Sequence, residues 1–381
     1  MAGTFWTRTT NSRNSVSLVL HSRAATRLAV FPTWTQSPYS RICPPARLQL
    51  DSATFTTHSS APPVAMPSWQ ARVFHRLITA LVLRRRWGDP QRLTVRARRV
   101  FGAPSWYSSY RTKDVKVRRT DGTIPGEWIV PQGSASTNVI LYFHGGGYVS
   151  CSPLTHRPIT AALARETGCR VLALDYSLAP EHQFPMAFNQ AVAAIHWLLM
   201  HGSKPSEIAV AGDSAGGGLV VALLAALHER EPTSLPRCGV AFSPWTDLTG
   251  TRPALTENDG RCAMFHPENI LEFAAAYLGD QSPRDPRASP IYADLSGLPP
   301  LLLHVSSTEL LLDDARHVHD AIQDGGGESV LRIFDGVPHG WQLLDGLVPE
   351  ARTSLAEAAS FIRAKFSADV TSAAVPAGSR S

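Results

Sequence analysis

Short apolar runs alternate with helical segments from about residue 114 towards the end of the chain. Eight of these runs predict strands, at 115–118, 128–130, 138–143, 170–174, 207–211, 239–242, 301–305 and 330–334. The central runs are almost continuously apolar, which is typical of strands that are buried on both faces. Strands and helices that alternate in this way predict an α/β protein with a mostly parallel sheet flanked by helices.

Two stretches, at about 66–105 and 250–290, lie outside this alternation. Trp69, Val73 and Leu77 recur at helical spacing, so the structured part of the chain is predicted to begin near Met66. Ligands of parallel sheets bind beyond the carboxyl ends of the strands. We therefore expect N-terminal cap helices at 66–110, a catalytic domain at 111–368 with a cap insertion at about 250–290, and a flexible tail at 369–381.

Residues 1–65 are rich in Ser, Thr and Pro and hold six Arg against one acid. This composition is typical of a targeting peptide and also of a disordered segment. A third explanation is that translation starts at Met66, so that residues 1–65 do not belong to the protein. Since the helical pattern begins only at Met66, we predict that a chain of residues 66–381 keeps the melting temperature and specific activity of the full chain. A large loss of either would show that residues 1–65 pack on the domain.

The net charge of +5 comes from the N-terminal third, because residues 121–381 hold sixteen Lys and Arg against twenty-eight Asp and Glu. No nucleic-acid-binding module surrounds the basic residues, so nucleic acid is not expected as a partner. No apolar run reaches the roughly 18 residues that span a bilayer, so stable membrane insertion is not expected either. Whether the chain forms a homodimer is left open.

The five cysteines are odd in number and have no CxxC spacing. This pattern indicates neither a disulfide framework nor a zinc site, and it is typical of a reducing compartment. We expect a cytoplasmic protein without a metal or cofactor. An organelle is the alternative location if residues 1–65 are a transit peptide.

A single serine stands among glycines where the predicted strand ending at residue 211 turns into an apolar helix. The stretch reads Gly212-Asp213-Ser214-Ala215-Gly216. Gly-x-Ser-x-Gly at a strand-to-helix turn is typical of a nucleophile elbow, in which glycines allow close packing around an exposed serine. The alternative is a glycine-rich helix start that packs on the sheet or binds phosphate.

A second glycine cluster follows the predicted strand 138–143, as His144-Gly145-Gly146-Gly147. Successive glycines let backbone N–H groups approach a ligand, and this loop type supplies such donors to a tetrahedral adduct. The alternative is a flexible turn. We expect His144 to brace the loop through hydrogen bonds.

A serine nucleophile needs a base, and His339 lies in a short loop after the last predicted strand. It is placed both C-terminal to Ser214 and just beyond that strand. His304 falls within a predicted strand, and His317 and His319 fall on a helix, so we expect structural or surface roles for these three.

Several motifs in this order resemble the α/β-hydrolases, and within them the hormone-sensitive-lipase-like carboxylesterases. The resemblance runs from about Met66 to Phe366 and includes "HGGGY", "LDYSLAPEHQFPMA", "GDSAGG", "SPWTDLT" and "DGVPHGW". It implies an eight-stranded sheet with a helical cap and hydrolysis of modest-sized esters without a cofactor. It also implies roles for five residues: Ser214 as nucleophile, His339 as general base and then acid, and the N–H groups of Gly145, Gly146 and Ala215 as the oxyanion hole.

The sequence departs from the commonest pattern of that family at the acid. Many relatives carry Asp-Pro-Leu after the seventh strand, whereas this chain has Glu309 followed by two leucines. Asp313 and Asp314 are rivals, but they precede a helical run, where acids cap free N–H groups. We therefore expect Glu309 to orient His339.

The resemblance favours hydrolysis of short to medium acyl esters. One alternative keeps the same residues and acts on an amide, a formamide or an acetylated metabolite. Another is a small-molecule receptor on an inactive hydrolase scaffold, although such receptors lack the histidine that His339 supplies here. Trp245, Trp341 and Tyr148 are candidates for the pocket lining, with core packing as the alternative.

Overall fold

The computed structural model describes residues 66–83, 90–102, 112 and 114–372. Our expectations for residues 1–65 and for 373–381 lie outside the described residues. Among the described helices, none combines the length and the apolar character that crossing a bilayer requires.

Eight strands form one sheet in the order β1-β2-β4-β3-β5-β6-β7-β8. Strand β2 pairs antiparallel with both β1 and β4, and the other pairs in the sheet are parallel. The eight predicted strands are confirmed to within two residues at each end. They are β1 Val115–Arg119, β2 Gly126–Pro131, β3 Val139–Phe143, β4 Arg170–Leu174, β5 Ile208–Asp213, β6 Cys238–Phe242, β7 Leu301–Ser306 and β8 Ser329–Phe334.

The α-helices lie between and around these strands. They are α1 Trp69–Ile78, α2 Pro90–Val100, α3 Pro153–Thr167, α4 Met186–Met200, α5 Ala215–Arg230, α6 Ala254–Glu257, α7 Pro267–Leu278, α8 Leu312–Asp324 and α9 Pro349–Ser372. A π-helical turn, Thr79–Leu83, continues α1, and short 3₁₀ turns lie at Pro205–Glu207, Pro232–Ser234, Pro290–Tyr292 and Trp341–Leu344. Because α9 reaches Ser372, the expectation of a loose tail is wrong for residues 369–372.

The central strands β3, β5, β6 and β7 are buried along their whole length. Alternate residues of these strands, such as Tyr142 and Phe242, pack in one cluster with Leu163 of α3 and Ile362 of α9. Each fully buried large apolar side chain contributes about 1.5–3 kcal/mol to folding. The continuous apolar pattern of these runs therefore reflects helices that cover the sheet.

The first described helix is attached to the last one. Ser68 caps α1 by accepting a hydrogen bond from the amide of Ala71 at 3.1 Å. The amide and hydroxyl of Ser68 also donate to the two carboxylate oxygens of Glu350, at 2.6 Å and 2.9 Å. These contacts fix the start of α1 against the beginning of α9.

Parallel pairing brings several strand ends to one edge of the sheet. The glycine loop follows β3, Ser214 follows β5, Glu309 follows β7 and His339 follows β8. The carboxyl ends of parallel strands meet at the same edge, where ligands of open α/β sheets bind. The fold therefore collects residues far apart in the sequence at one place.

Candidate active site

Ser214 occupies the turn between β5 and α5 with φ +52°, a left-handed conformation that non-glycine residues rarely adopt. Its amide donates to the carbonyl of Phe242 at 2.8 Å, and its carbonyl accepts from the amide of Trp245 at 3.0 Å. At Gly216 a side-chain Cβ would overlap the carbonyl oxygen of Phe143, so only glycine allows α5 to begin so close to β3. The surrounding backbone thus holds the serine in its strained turn.

His339 lies beside Glu309. Its Nδ1 is 2.7 Å from Oε2 of Glu309, and both side chains are buried. An ionised carboxylate only accepts hydrogen bonds, so Nδ1 carries the hydrogen and Nε2 is left as the basic nitrogen. Burial lowers the pKa of His339, but the charge and hydrogen bond of Glu309 outweigh it, and the pKa lies above its ordinary value.

Glu309 is held in place by further contacts. Its second carboxylate oxygen accepts from the hydroxyl of Ser243 at 2.7 Å and from the amide of Ser306 at 3.1 Å. Its carbonyl accepts from the side-chain amide of Asn258 at 2.8 Å. Buried carboxylates need hydrogen-bond partners, and these partners leave Oε2 aimed at the imidazole.

The rival aspartates contact other groups. Asp313 accepts the amide of Ala254 at 2.8 Å, and Asp314 accepts the amides of Thr246 and Asp247 at 2.7 Å and 2.9 Å. Both acids lie in the first turn of α8, and the expectation that they cap the N–H groups of this helix is wrong. They stabilise the start of α6 and the loop after β6, and it is Glu309 that contacts the histidine.

The glycine loop corrects one expectation about the oxyanion donors. The amide of Gly145 already donates to Oδ1 of Asp213 at 3.0 Å, so the expectation that it serves the oxyanion hole is wrong. Gly146 and Gly147 instead line the same cavity as Ser214, with φ of +113° and +63°. Their positive φ values explain why this loop requires glycine.

His144 braces the loop, as expected. Its Nδ1 donates to the carbonyl of Gly145 at 2.7 Å, and its ring stacks on Tyr176 with 4.2 Å between centroids. The Tyr176 hydroxyl donates back to the carbonyl of His144 at 2.7 Å. Burial lowers the pKa of His144 to about 3, so this imidazole is neutral.

A cavity of about 270 Å³ opens over these groups, and Ser214 and His339 both form part of its wall. The remaining wall is mostly apolar, and both helical stretches outside the strand pattern contribute residues to it. Phe265 is the central ring, with its centroid 5.9 Å from Phe101, 6.0 Å from Phe273 and 5.4 Å from His339. An apolar site of this kind excludes water from the reacting groups.

Arg98 fastens the end of α2 over the glycine loop. Its guanidinium makes two hydrogen bonds to Glu181, at 2.8 Å and 2.7 Å, and donates to the carbonyl of Val149 at 2.9 Å. Phe101 follows three residues later and reaches the cavity. The contacts of Arg98 with Glu181 and Val149 therefore fix where the end of α2 enters the wall of the site.

The three aromatic candidates for the lining have different positions. Trp245 lines the cavity. Trp341 packs instead in a separate apolar cluster with Val337, and Tyr148 stacks on Tyr277 with 3.8 Å between centroids. Only the first prediction of lining is therefore confirmed.

Sequence reasoning missed several residues of the site. Phe101, Phe265 and Phe273 form the aromatic wall, and His156 joins Asp213 beneath the glycine loop. Ser243, which supports Glu309, stands at the start of the "SPWTDLT" motif, and that motif was a signal for it. The others carry no local pattern.

The comparisons with known proteins agree with this geometry. A family described as alpha/beta hydrolase fold matches residues 140–343. An acetyl-hydrolase of Streptomyces hygroscopicus is 39% identical over 244 residues, which cover 64% of this chain and 81% of that protein. An esterase of Acinetobacter venetianus is 36% identical over 62% of this chain and 78% of its own length.

A crystal structure of an esterase from the bacterial hormone-sensitive lipase family superposes with a TM-score of 0.70 at 40% identity. The match covers 78% of this chain and 99% of that one. The chain therefore belongs to the α/β-hydrolase fold family and, within it, to the hormone-sensitive-lipase-like carboxylesterases.

Proposed function

We propose that the chain hydrolyses carboxylic esters through an acyl-enzyme on Ser214. The observation that carries this proposal is the 2.7 Å contact of His339 Nδ1 with Glu309, because it leaves Nε2 as a base in the cavity that Ser214 lines. In the first half-reaction Nε2 takes the hydroxyl proton as Ser214 Oγ bonds to the ester carbonyl carbon. The imidazolium then gives this proton to the departing alcohol oxygen.

The second half-reaction repeats these transfers with water. Nε2 of His339 takes a proton from water as its oxygen bonds to the acyl carbon, and the proton passes to Ser214 Oγ as the carboxylic acid leaves. We assign the oxyanion hole to the amides of Gly146, Gly147 and Ala215. The two glycines line the cavity, and the amide of Ala215 stands at the start of α5, where helix N–H groups have no intrahelical partner.

We propose esters with short acyl chains as substrates, because the aromatic residues Phe101, Phe265 and Phe273 close a cavity of only about 270 Å³. The acetyl-hydrolase relative favours one further candidate, removal of an acetyl group from a small metabolite by the same residues. Rates on nitrophenyl esters of increasing acyl length test the first proposal. A maximum at long chains would contradict it.

A cytoplasmic location is proposed from the cysteines. Cys151, Cys169, Cys238 and Cys262 are free thiols, and burial raises the pKa of each. Free thiols are typical of proteins in reducing compartments. Fractionation of the native host tests this location.

We expect Phe265→Ala to move the acyl preference to longer chains. Removing the central ring extends the apolar wall, and each buried methylene contributes about 0.8 kcal/mol. Two added methylenes therefore raise kcat/KM relative to the acetyl ester by about tenfold. The measurement is kcat/KM over the nitrophenyl ester series.

The matched control is Phe361→Ala, since this partly buried ring of α9 packs against the core cluster and does not line the cavity. It should leave the chain-length profile unchanged. An unchanged profile in the Phe265 variant would show that another wall sets the acyl length.

A further inference from the structure

A buried polar cluster lies directly beneath the glycine loop. Asp213 is its centre: Oδ1 accepts from the Tyr142 hydroxyl at 2.6 Å and from the amide of Gly145 at 3.0 Å, and Oδ2 lies 3.1 Å from Nε2 of His156. His156 is 1% exposed and Asp213 is 4% exposed. The mechanism proposed above uses none of these side chains.

His156 is also held at its other end. The hydroxyl of Thr155 lies 2.8 Å from Nδ1 of His156, and this hydroxyl is itself fixed by the carbonyl and the amide of Ser152, at 2.7 Å and 3.0 Å. The ring therefore has one fixed orientation, in which Nε2 faces Asp213. Because an ionised carboxylate only accepts hydrogen bonds, Nε2 carries a hydrogen and donates it.

Asp213 is held by donors on both of its carboxylate oxygens. Burial raises the pKa of Asp213, but the contacts with His156 and the Tyr142 hydroxyl outweigh it, and the pKa lies below its ordinary value. A buried carboxylate needs hydrogen-bond donors of this kind. His144 faces the carbonyl of Gly145 instead, so His156, Tyr142 and the amide of Gly145 are the groups that hold Asp213.

We infer that His156 is a positioning residue for ester hydrolysis: its Nε2 donates to Asp213, and the carboxylate held in this way fixes the amide of Gly145 against the nucleophile turn. The inference rests on the proposed function of Ser214.

The chain connectivity explains why this contact matters. Asp213 is bonded directly to Ser214, and Gly145 is bonded directly to Gly146, the first proposed oxyanion donor. One carboxylate therefore sets the distance between the nucleophile and the donors that face its adduct. Charge-assisted hydrogen bonds are about twice as strong as neutral ones, so a neutral cluster holds this distance less firmly. Loss of one aligned oxyanion donor costs about 10²- to 10³-fold in kcat.

Two variants test the inference. His156→Gln replaces the fixed imidazole donor to Asp213 with a flexible side-chain amide, and we expect kcat to fall by about tenfold to a hundredfold with KM changed by less than about threefold. Asp213→Asn keeps the shape of the cluster and an acceptor for Gly145, and kcat should fall by about tenfold. The affinity for a trifluoromethyl ketone, which forms the oxyanion adduct on serine, should fall in the same proportion as kcat.

His196→Gln is the matched control. His196, on α4, contacts Glu231, the residue after α5, at 2.7 Å, and this histidine–carboxylate pair lies outside the lining of the cavity. It should keep kcat and the ketone affinity.

Rates are expressed per active serine, counted by complete labelling with a fluorophosphonate. A normal kcat in Asp213→Asn, or a lowered melting temperature with unchanged kcat and ketone affinity in either variant, would overturn the inference. If Ser214→Ala kept its activity, the proposed function itself would fail, which is a separate result.

Discussion

Ser214→Ala is expected to lower kcat for nitrophenyl acetate by about 10⁴- to 10⁶-fold, the usual cost of losing the nucleophile of a serine hydrolase. The fold should persist, because the turn is held by backbone hydrogen bonds to Phe242 and Trp245 and by glycine packing at Gly216, not by the hydroxyl. The measurements are steady-state rates and the melting temperature. His339→Ala should lose activity in the same way.

Ser134→Ala is the matched control, since its hydroxyl donates to the carbonyl of Gly168 at 2.6 Å far from the cavity. It should retain normal rates. Near-normal activity of the Ser214 variant would assign the chemistry to another residue.

Glu309→Gln is expected to lower kcat by about 10³- to 10⁴-fold, because an amide no longer stabilises the imidazolium and allows the wrong tautomer of His339. The pH profile should also move. Activity requires the neutral imidazole, so kcat/KM rises as the pH passes the pKa of His339, which Glu309 holds above its ordinary value. Removing that charge lowers the pKa, and the acidic limb shifts to lower pH.

Asp313→Asn is the control that separates the role of Glu309 from the mere loss of a nearby acid. Its carboxylate accepts the amide of Ala254, so the variant should lose about 1 kcal/mol of unfolding free energy, as for a lost helix cap, and keep its kcat. If the rate loss followed Asp313 and spared Glu309, our assignment of the acid would be wrong.

The strands were predictable because residues in the interior of the sheet are apolar on both faces, and this gives short continuous apolar runs in the sequence. Runs such as 301–305 are apolar on both faces, and the structure places β7 there, buried throughout. Ser214 and His339 were predictable for a related reason, since each follows a strand that this pattern identifies. The prediction of Glu309 required only that this residue lies a short distance along the chain from the end of β7.

The parts of the site that the sequence did not predict depend on contacts between distant segments. His156 and Asp213 are 57 residues apart, and nothing near either one indicates that they pair. Asp213 also accepts the amide of Gly145 and so takes it away from the oxyanion hole, which no local pattern reveals. Phe101 and Phe265 meet only because two separate helical stretches pack over the same strand ends.

The proposed reacting groups follow strands, whereas the aromatic wall comes from residues 101–102 and 264–273. The chain, and with it the gene that encodes it, therefore has two kinds of region. Substitutions in the second kind should alter which molecules enter while leaving the strand ends that carry Ser214, Glu309 and His339 in place, although the ring of Phe265 also contacts His339 at 5.4 Å between centroids. Directed evolution of a new ester preference therefore has a defined target, and recombination that exchanges only those segments between relatives should transfer selectivity with little loss of turnover.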